Sequence, residues 1–160
     1  DILYNCSSGG VGFEIGASLI YQGYKACGVK YNTNLHIAEH FIAQTIEDFK
    51  DSIGSKYIQS YTPNAFLKFN NTDKYIVTGT PCQIDSLRRF IQLKHIEHNF
   101  ILVDFFCHGV PSILIWKKYI SLVEKKINKI KSVSWRNKTN GWQDSYAITA
   151  IPVNSNFKNW

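Results

Sequence analysis

The chain has 160 residues, of which 44% are hydrophobic and 14% aromatic, enough apolar side chain for the core of one domain. Its net charge of +6 comes from lysines and arginines that are scattered along the chain, so a nucleic-acid-binding surface is disfavoured. No apolar run approaches the roughly 20 residues that a membrane span needs.

Helical and strand patterns alternate through the first half of the chain. Gly9-Gly10 opens a helix that Gly23 ends. The residues predicted to share the buried face of this helix are Val11, Ile15, Leu19 and Ile20. The further elements predicted here are strands over 24–31 and 36–43, a short helix from Thr45 to about Ile53 and one or two helical turns over 64–69.

Two strand–turn–helix units dominate the second half. Their strands are predicted over 74–78 and 100–106, and their helices run from Cys82 to about Leu93 and from Pro111 to about Ile127. Two further strands, 132–135 and 145–151, flank an Asn140-Gly141 turn. We therefore expect a single α/β domain, a mixed sheet flanked by helices, with strands 75–78 and 101–106 at its centre.

The first unit places a cysteine in the first turn of a helix. Thr78, Gly79 and Thr80 form the turn, Thr80 is positioned to cap the helix, and Cys82 follows Pro81. The positive end of the helix dipole favours a thiolate, the form that binds iron. A buried cysteine without a chemical role is the alternative.

The second unit repeats this arrangement 25 positions later (107 minus 82), with Cys107, His108 and Gly109 before Pro111. If the two strands are neighbours, both thiols lie at one edge of the sheet and can share an iron–sulfur cluster. His108 is a candidate for proton transfer or for a hydrogen bond to a cofactor, and a purely structural histidine is the alternative.

Three other segments are candidate binding loops. Ser7, Ser8, Gly9 and Gly10 precede a helix and can cradle a phosphate, although an ordinary serine N-cap explains them equally well. In the loop 54–60, Lys56 can hold an anionic group and Tyr57 can stack on a ring. The segment 135–142, with Arg136 and Lys138, is either a substrate lid or an aromatic-anchored hairpin turn.

The four cysteines, Cys6, Cys27, Cys82 and Cys107, are too widely separated to form a zinc-type pair. Free thiols or cluster ligands in a reducing cytoplasm fit them better than a disulfide framework. Because the chain starts without methionine and contains none, we expect a fragment, residues 1–160, of a longer cytoplasmic protein.

The order SSGGVG, GSKYIQS, TGTPCQI, FCHGVPS and WRNKTNGW resembles the beta-subunit family of coenzyme F-420 hydrogenases and dehydrogenases. The resemblance runs from about Cys6 to Ala150, and TGTPCQ and CHGVPS are its most specific parts. It implies a flavin-binding catalytic domain that carries FAD and, in most relatives, 4Fe-4S clusters. It also implies electron transfer between a ferredoxin or a ferredoxin-like segment of the same chain, the flavin and a small substrate or deazaflavin.

The resemblance, together with the residues themselves, gives the candidate site residues four roles. Ser7, Ser8, Gly9 and Gly10 would bind the FAD phosphates, and Cys82 and Cys107 would ligate a cluster. Lys56 and His108 are the candidate catalytic residues. The isoalloxazine or ribityl region would contact Lys56, Tyr57, Thr78, Gly79 and Thr80.

Two other classes of function compete with electron transfer. An accessory or binding domain would keep the fold without the cofactors, and the retained glycines, Lys56 and both motif cysteines weigh against it. A thiol–disulfide enzyme would use Cys82, and the absence of a second cysteine three residues away weighs against it.

Overall fold

A five-stranded mixed sheet organises the chain, which we describe from a computed structural model over residues 2–138, 141 and 147–154. Its strands are β1 (Lys25–Asn32), β2 (Ile37–Ala43), β3 (Ser60–Tyr61), β4 (Tyr75–Gly79) and β5 (Phe100–Asp104). They lie in the order β3-β2-β1-β4-β5. Strands β1, β4 and β5 are parallel to one another, whereas β2 is antiparallel to β1 and parallel to β3. The predicted α/β fold with a mixed sheet is confirmed.

Six helices and a hairpin complete the described structure. The helices are α1 (Ile2–Asn5), α2 (Val11–Tyr21), α3 (Ile46–Phe49), α4 (Pro63–Phe66), α5 (Pro81–Leu93) and α6 (Ile113–Ile127), with 3-10 turns at Lys50–Ser52 and Glu97–Asn99. The hairpin pairs β6 (Ile130–Asn137) with β7 (Ala147–Pro152) as a separate two-stranded antiparallel sheet. None of the helices described is both long and apolar enough to cross a membrane.

The alternation of side chains along the strands divides the core into two layers. On one face of the sheet, Cys27 and Val77 pack against the buried side of α5, which includes Leu87. On the other face, Ala26 and Ile76 pack against α2 and α3. The sheet is therefore covered by helices on both sides.

The buried face predicted for α2 is only half right. Leu19 and Ile20 do pack against the core, but Val11 is 66% exposed and Ile15 is 40% exposed. The residues of α2 that are fully buried are instead Phe13, Gly16 and Ala17. The helix is thus rotated relative to the face that its aliphatic residues predicted.

The reason for this rotation is an aromatic ring from α3. A Cβ atom on Gly16 would lie 2.3 Å from the ring of Phe49, so Phe49 fills the space that the glycine leaves. Phe13 stacks on the same ring with a centroid distance of 5.4 Å. This close packing, which an aliphatic pattern does not reveal, decides which face of α2 is buried.

Strand β5 was predicted to be central, and this is wrong. It is the edge strand of the sheet, it ends at Asp104, and residues 105–112 form an exposed loop. The helix after this loop begins at Ile113 rather than at Pro111, because the Ser112 hydroxyl caps it by accepting a hydrogen bond from the Leu114 N–H at 3.3 Å. The central strand is β1.

Candidate functional site

The two motif turns follow neighbouring strands. Strands β4 and β5 pair in parallel with Gly79 opposite Asp104, and Cys82 and Cys107 each come three residues after that pair. Both thiols are exposed. The topology therefore brings the two cysteine turns to the carboxyl end of adjacent strands, where open α/β sheets bind ligands.

The surroundings of the two thiols differ. Cys82 Sγ lies 3.2 Å from the hydroxyl of Thr80, and Cys107 Sγ accepts a long hydrogen bond of 3.4 Å from the Gly109 N–H. His108, which follows Cys107 in the FCHGVPS motif, is exposed. The part of the chain that the structure describes contains no group of three or more His, Cys, Asp or Glu side chains suited to hold a metal ion. These residues alone do not form a complete cluster site.

The SSGGVG motif is joined to the 54–60 loop by a hydrogen bond. Ser7 Oγ accepts from the backbone N–H of Ser55 at 2.7 Å, across 48 positions of sequence. The loop turns at Gly54, which has a φ of 81° and lies close to the amino-terminal segment: a Cβ there would be 3.9 Å from the Asn5 carbonyl oxygen. Two motifs that are distant in sequence thus form one structural unit.

The hairpin contacts the same unit through Lys138. The Lys138 ammonium is buried and donates a hydrogen bond to the backbone carbonyl of Cys6. Burial raises the pKa of the Cys6 thiol, and the neighbouring charge of Lys138 opposes this rise. The Cys6 sulfur lies below Gly10, where a Cβ would be 3.3 Å from Sγ. A larger residue at position 10 would therefore crowd the thiol.

Gln83 connects the third motif, TGTPCQI, to the 54–60 loop. Its Nε2 donates to the hydroxyl of Ser60 at 2.8 Å, and its Oε1 accepts from the Thr80 N–H at 3.1 Å. The second bond caps the amino end of α5. One side chain therefore orders the helix start and holds the end of the 54–60 loop.

Thr78 and Gly79 face the protein rather than an open cleft. The Thr78 hydroxyl donates to the Cys27 carbonyl at 3.2 Å. Gly79 is buried, and a Cβ there would already be in tight contact, at 3.4 Å, with Gln83 Oε1 and Ile84 Cδ1. Both residues thus have packing roles, and their predicted contact with a flavin stays a prediction.

Lys56 caps the 3-10 turn that precedes it. Its ammonium donates to the carbonyl oxygens of Asp51, Ser52 and Ile53 at 3.2, 3.0 and 3.0 Å. Burial lowers the pKa of Lys56 to about 8, and the nearby carboxylate of Asp51 opposes this shift. Because all three N–H groups of the ammonium are engaged, Lys56 offers a fixed positive charge rather than a spare hydrogen-bond donor.

An open pocket of about 520 Å³ lies where three of the motifs meet. Its volume is in the range of small-molecule sites. Its lining comes from the 54–60 loop, the segment before α6, α6 itself and both strands of the hairpin: Tyr57, Pro111, Trp116, Trp135, Arg136 and Ile148.

Stacked indole rings form one wall of this pocket. Trp116 and Trp135 stack with a centroid distance of 5.2 Å, and the ring of Tyr31 meets Trp135 edge-on at 5.0 Å. The Trp116 Nε1–H donates to the His36 carbonyl at 3.0 Å, which fixes the orientation of that ring. Aromatic walls with an arginine among the lining residues suit a flat, partly apolar molecule that carries an anionic group.

Sequence reasoning found Tyr57 and Arg136 in this pocket but missed Trp116 and Ile148. Trp116 lies within the helix predicted from Pro111 to about Ile127, and nothing in that pattern marks it as a pocket residue. Its packing against Trp135 depends on how α6 meets the hairpin, which no local pattern encodes. Trp142, the other end of the predicted lid segment, lies outside the described residues.

The amino end of α2 is open to a ligand. Gly10 is its N-cap, with no side chain capping the first turn, and Ser8 and Gly9 are exposed. A Cβ on Gly9 would meet nothing within 4 Å. Free N–H groups at a helix start attract a phosphate, although the exposed Glu14 in the first turn opposes an anion. The phosphate cradle at Ser7 to Gly10 stays a prediction.

These features define a class of protein: an α/β domain whose sequence motifs lie around an aromatic pocket and an uncapped helix start. Residues 72–155 match the family model described as the C terminus of the coenzyme F420 hydrogenase/dehydrogenase beta subunit, and the chain belongs to this family. The resemblance predicted from the motifs is thereby confirmed. No curated protein matches the chain by sequence.

The fold is similar to a chain of the F420-reducing NiFe hydrogenase complex from Methanosarcina barkeri, solved as a xenon derivative. The two align with a TM-score of 0.65 and 21% identity over 95% of the present chain. The alignment spans 56% of the hydrogenase chain. The chain is thus related by family to a subunit of hydrogenases and dehydrogenases, and it spans about half the length of the hydrogenase chain whose fold it shares.

Proposed function

We propose that the protein is a flavin- and iron–sulfur-dependent oxidoreductase that passes electrons between clusters or ferredoxin, FAD and a small substrate or deazaflavin coenzyme. The observation that carries the proposal is the convergence of five sequence motifs through specific contacts. Four of the motif segments are joined by the hydrogen bonds of Ser7 with Ser55, Lys138 with Cys6 and Gln83 with Ser60, and the FCHGVPS motif meets two of these segments in the lining of one pocket. Such convergence is expected of a binding site and not of a fold kept only for packing.

The open start of α2 is the proposed site of the FAD phosphates. Ser8 and Gly9 are exposed there, Gly10 leaves the first turn uncapped, and Ser7 fixes the adjacent loop. Lys56, in the same loop, would contribute a positive charge that attracts the phosphates. A bound flavin supplies chemistry that exchanges single electrons with clusters and hydride with organic partners.

The aromatic pocket is the proposed site of the substrate or of a flat cofactor ring. Tyr57 and the stacked pair of Trp116 and Trp135 would exclude water from a ring, and Arg136 would hold an anionic substituent. His108, exposed on the loop that leads to Pro111, would exchange a proton with the substrate.

Cys82 and Cys107 are proposed as two ligands of an iron–sulfur cluster. A 4Fe-4S cluster takes four cysteine thiolates, so two further ligands would have to come from elsewhere in the protein or from a partner. The exposure of both thiols at adjacent strand ends supports this proposal.

The decisive experiment is the visible spectrum of the complete protein purified without oxygen, before and after reduction by ferredoxin. We expect a flavin band together with broad cluster absorbance, and bleaching of the flavin band on reduction. A protein that contains neither chromophore, or a flavin that no low-potential donor reduces, would leave the accessory binding domain as the better description.

A further inference from the structure

Helix α6 carries an exposed apolar stripe that no described part of the chain covers. Ile115, Tyr119 and Leu122 are 64%, 42% and 52% exposed, and their spacing of four and three residues places them on one side of the helix. The buried side of the helix, which contacts the hairpin through Trp116 and Ile120, lies about 100° around the helix axis from this stripe. Three large apolar residues in a row on a solvated helix face exceed the scattered exposure that is normal for a surface.

Lys118 and Lys125 flank this stripe on the side away from the hairpin, Lys126 lies in line with it, and the helix offers them no acidic neighbour at the surface. Glu124 is the one acidic residue in α6. Its carboxylate is directed away from the stripe, since it accepts from the Ile130 N–H at 3.2 Å and lies 3.4 Å from His36 Nε2. The residues that define the α6 outer surface are Ile115, Lys118, Tyr119, Leu122, Lys125 and Lys126, all exposed.

We propose that the α6 outer surface docks an acidic protein whose contact patch has an apolar centre. Aspartates and glutamates on the partner would pair with Lys118, Lys125 and Lys126, while apolar side chains would cover Ile115 and Leu122. Complementary charge of this kind raises the association rate and selects the partner, and the apolar contact holds it.

The same geometry disfavours two other occupants. A second copy of the chain would bring the same lysines against one another. A membrane surface needs the apolar residues outermost and the lysines at the flanks. At about 100° per residue, Lys118 and Lys125 instead lie opposite the buried Trp116, and therefore occupy the outermost row of the helix.

The test measures equilibrium binding of oxidised ferredoxin, used as the acidic probe, to the complete protein by titration calorimetry. It rests on the proposed function only in its choice of probe, because it involves no electron transfer and reads out binding even if the redox proposal fails. The variants are the double charge reversal Lys118→Glu with Lys125→Glu, and separately Leu122→Ser. Leu93→Ser and Lys94→Glu, at the exposed end of α5, are the matched controls.

We expect wild-type binding that weakens between about 0.05 M and about 0.5 M salt, as screening requires. The charge reversal should weaken binding at low salt at least about tenfold and flatten its salt dependence. Leu122→Ser should weaken binding at both salt concentrations, and the α5 controls should bind like wild type.

Several results would overturn the proposal. Absence of ferredoxin binding, or equal loss in the α5 controls, would do so directly. Binding of the wild type to anionic lipid vesicles that is lost in the α6 variants, with ferredoxin binding unchanged, would assign the surface to a membrane. A dimer in sedimentation that the α6 variants dissociate would assign it to a second copy.

Discussion

The Gln83 side chain makes two hydrogen bonds that a methionine of similar size cannot make. One bond caps α5 through the Thr80 N–H at 3.1 Å, and the other reaches the Ser60 hydroxyl at 2.8 Å. Loss of a helix-capping contact costs about 1 kcal/mol, and loss of a hydrogen bond between neutral groups also costs about 1 kcal/mol. We therefore expect Gln83→Met to lower the free energy of unfolding by about 2 kcal/mol, or Tm by about 4–8 °C for a chain of this length.

A double-mutant cycle separates the two bonds. Ser60→Ala removes only the contact between the helix and the loop, so the cycle with Gln83→Met should give a coupling energy of about 1 kcal/mol. Gln92→Met, on the exposed side of the same helix, is the matched control and should leave Tm within about 1 °C of wild type. Thermal unfolding followed by circular dichroism measures wild type, the two single variants, the double variant and the Gln92→Met control.

The role assigned to Gln83 fails in two ways. If Gln83→Met unfolds at the temperature of the Gln92→Met control, neither bond stabilises the fold. If the loss of stability is large but the coupling energy with Ser60 is zero, only the capping bond stabilises the fold. The hydrogen bond between the TGTPCQ turn and the 54–60 loop would then contribute nothing to stability.

Three further predictions concern the proposed cofactors and the charge below them. Gly9→Leu should lose bound flavin without a fall in Tm, because a Cβ at this position meets no atom of the chain within 4 Å. Gly9→Ala is the graded control, and an unchanged flavin content in Gly9→Leu contradicts the phosphate cradle. Cys82→Ser and Cys107→Ser should each reduce the iron and sulfide content of the complete protein, whereas full stoichiometry in both variants would identify structural cysteines. Because burial lowers the pKa of Lys56 from 10.5 to about 8, the unfolded chain binds more protons between these values, so the free energy of unfolding should rise with pH in this window. A pH series of Lys56→Met isolates that rise, and identical curves for wild type and variant would show that Lys56 titrates normally.

Local signals in the sequence predicted most of the elements, because each has a short-range cause. Thr45 was predicted to start a helix, and its hydroxyl accepts from the Asp48 N–H at 3.1 Å. Gly23 was predicted to end α2, and its φ of 86° is one that glycine adopts without strain. The buried strand over 74–78 is β4, which shifts by only one residue to Tyr75–Gly79.

Strand order was harder to predict because it depends on the whole sheet. The apolar run Phe100–Asp104 resembles a central strand, yet it forms the edge. An edge strand that is half-buried on average carries the same composition as a buried one, so hydrophobicity alone does not give its position. The sequence placed Cys82 and Cys107 at one edge of the sheet only on the condition that β4 and β5 are neighbours. The structure shows that these two strands do pair.

The contacts that assemble the candidate site were the least predictable from the sequence. Lys138 reaches the Cys6 carbonyl across 132 positions, and its partner is a backbone atom whose presence no residue type signals. From composition, Lys138 looks like a loop cation that faces solvent or an anion, whereas it is buried. A lysine is rarely buried unless its charge is satisfied, and the Cys6 carbonyl is one of the groups that satisfy the charge of Lys138. It follows that this contact links the hairpin, which supplies Trp135 and Arg136 to the aromatic pocket, to the segment that begins the proposed phosphate cradle. A change that releases Lys138 should therefore disturb both halves of the site together.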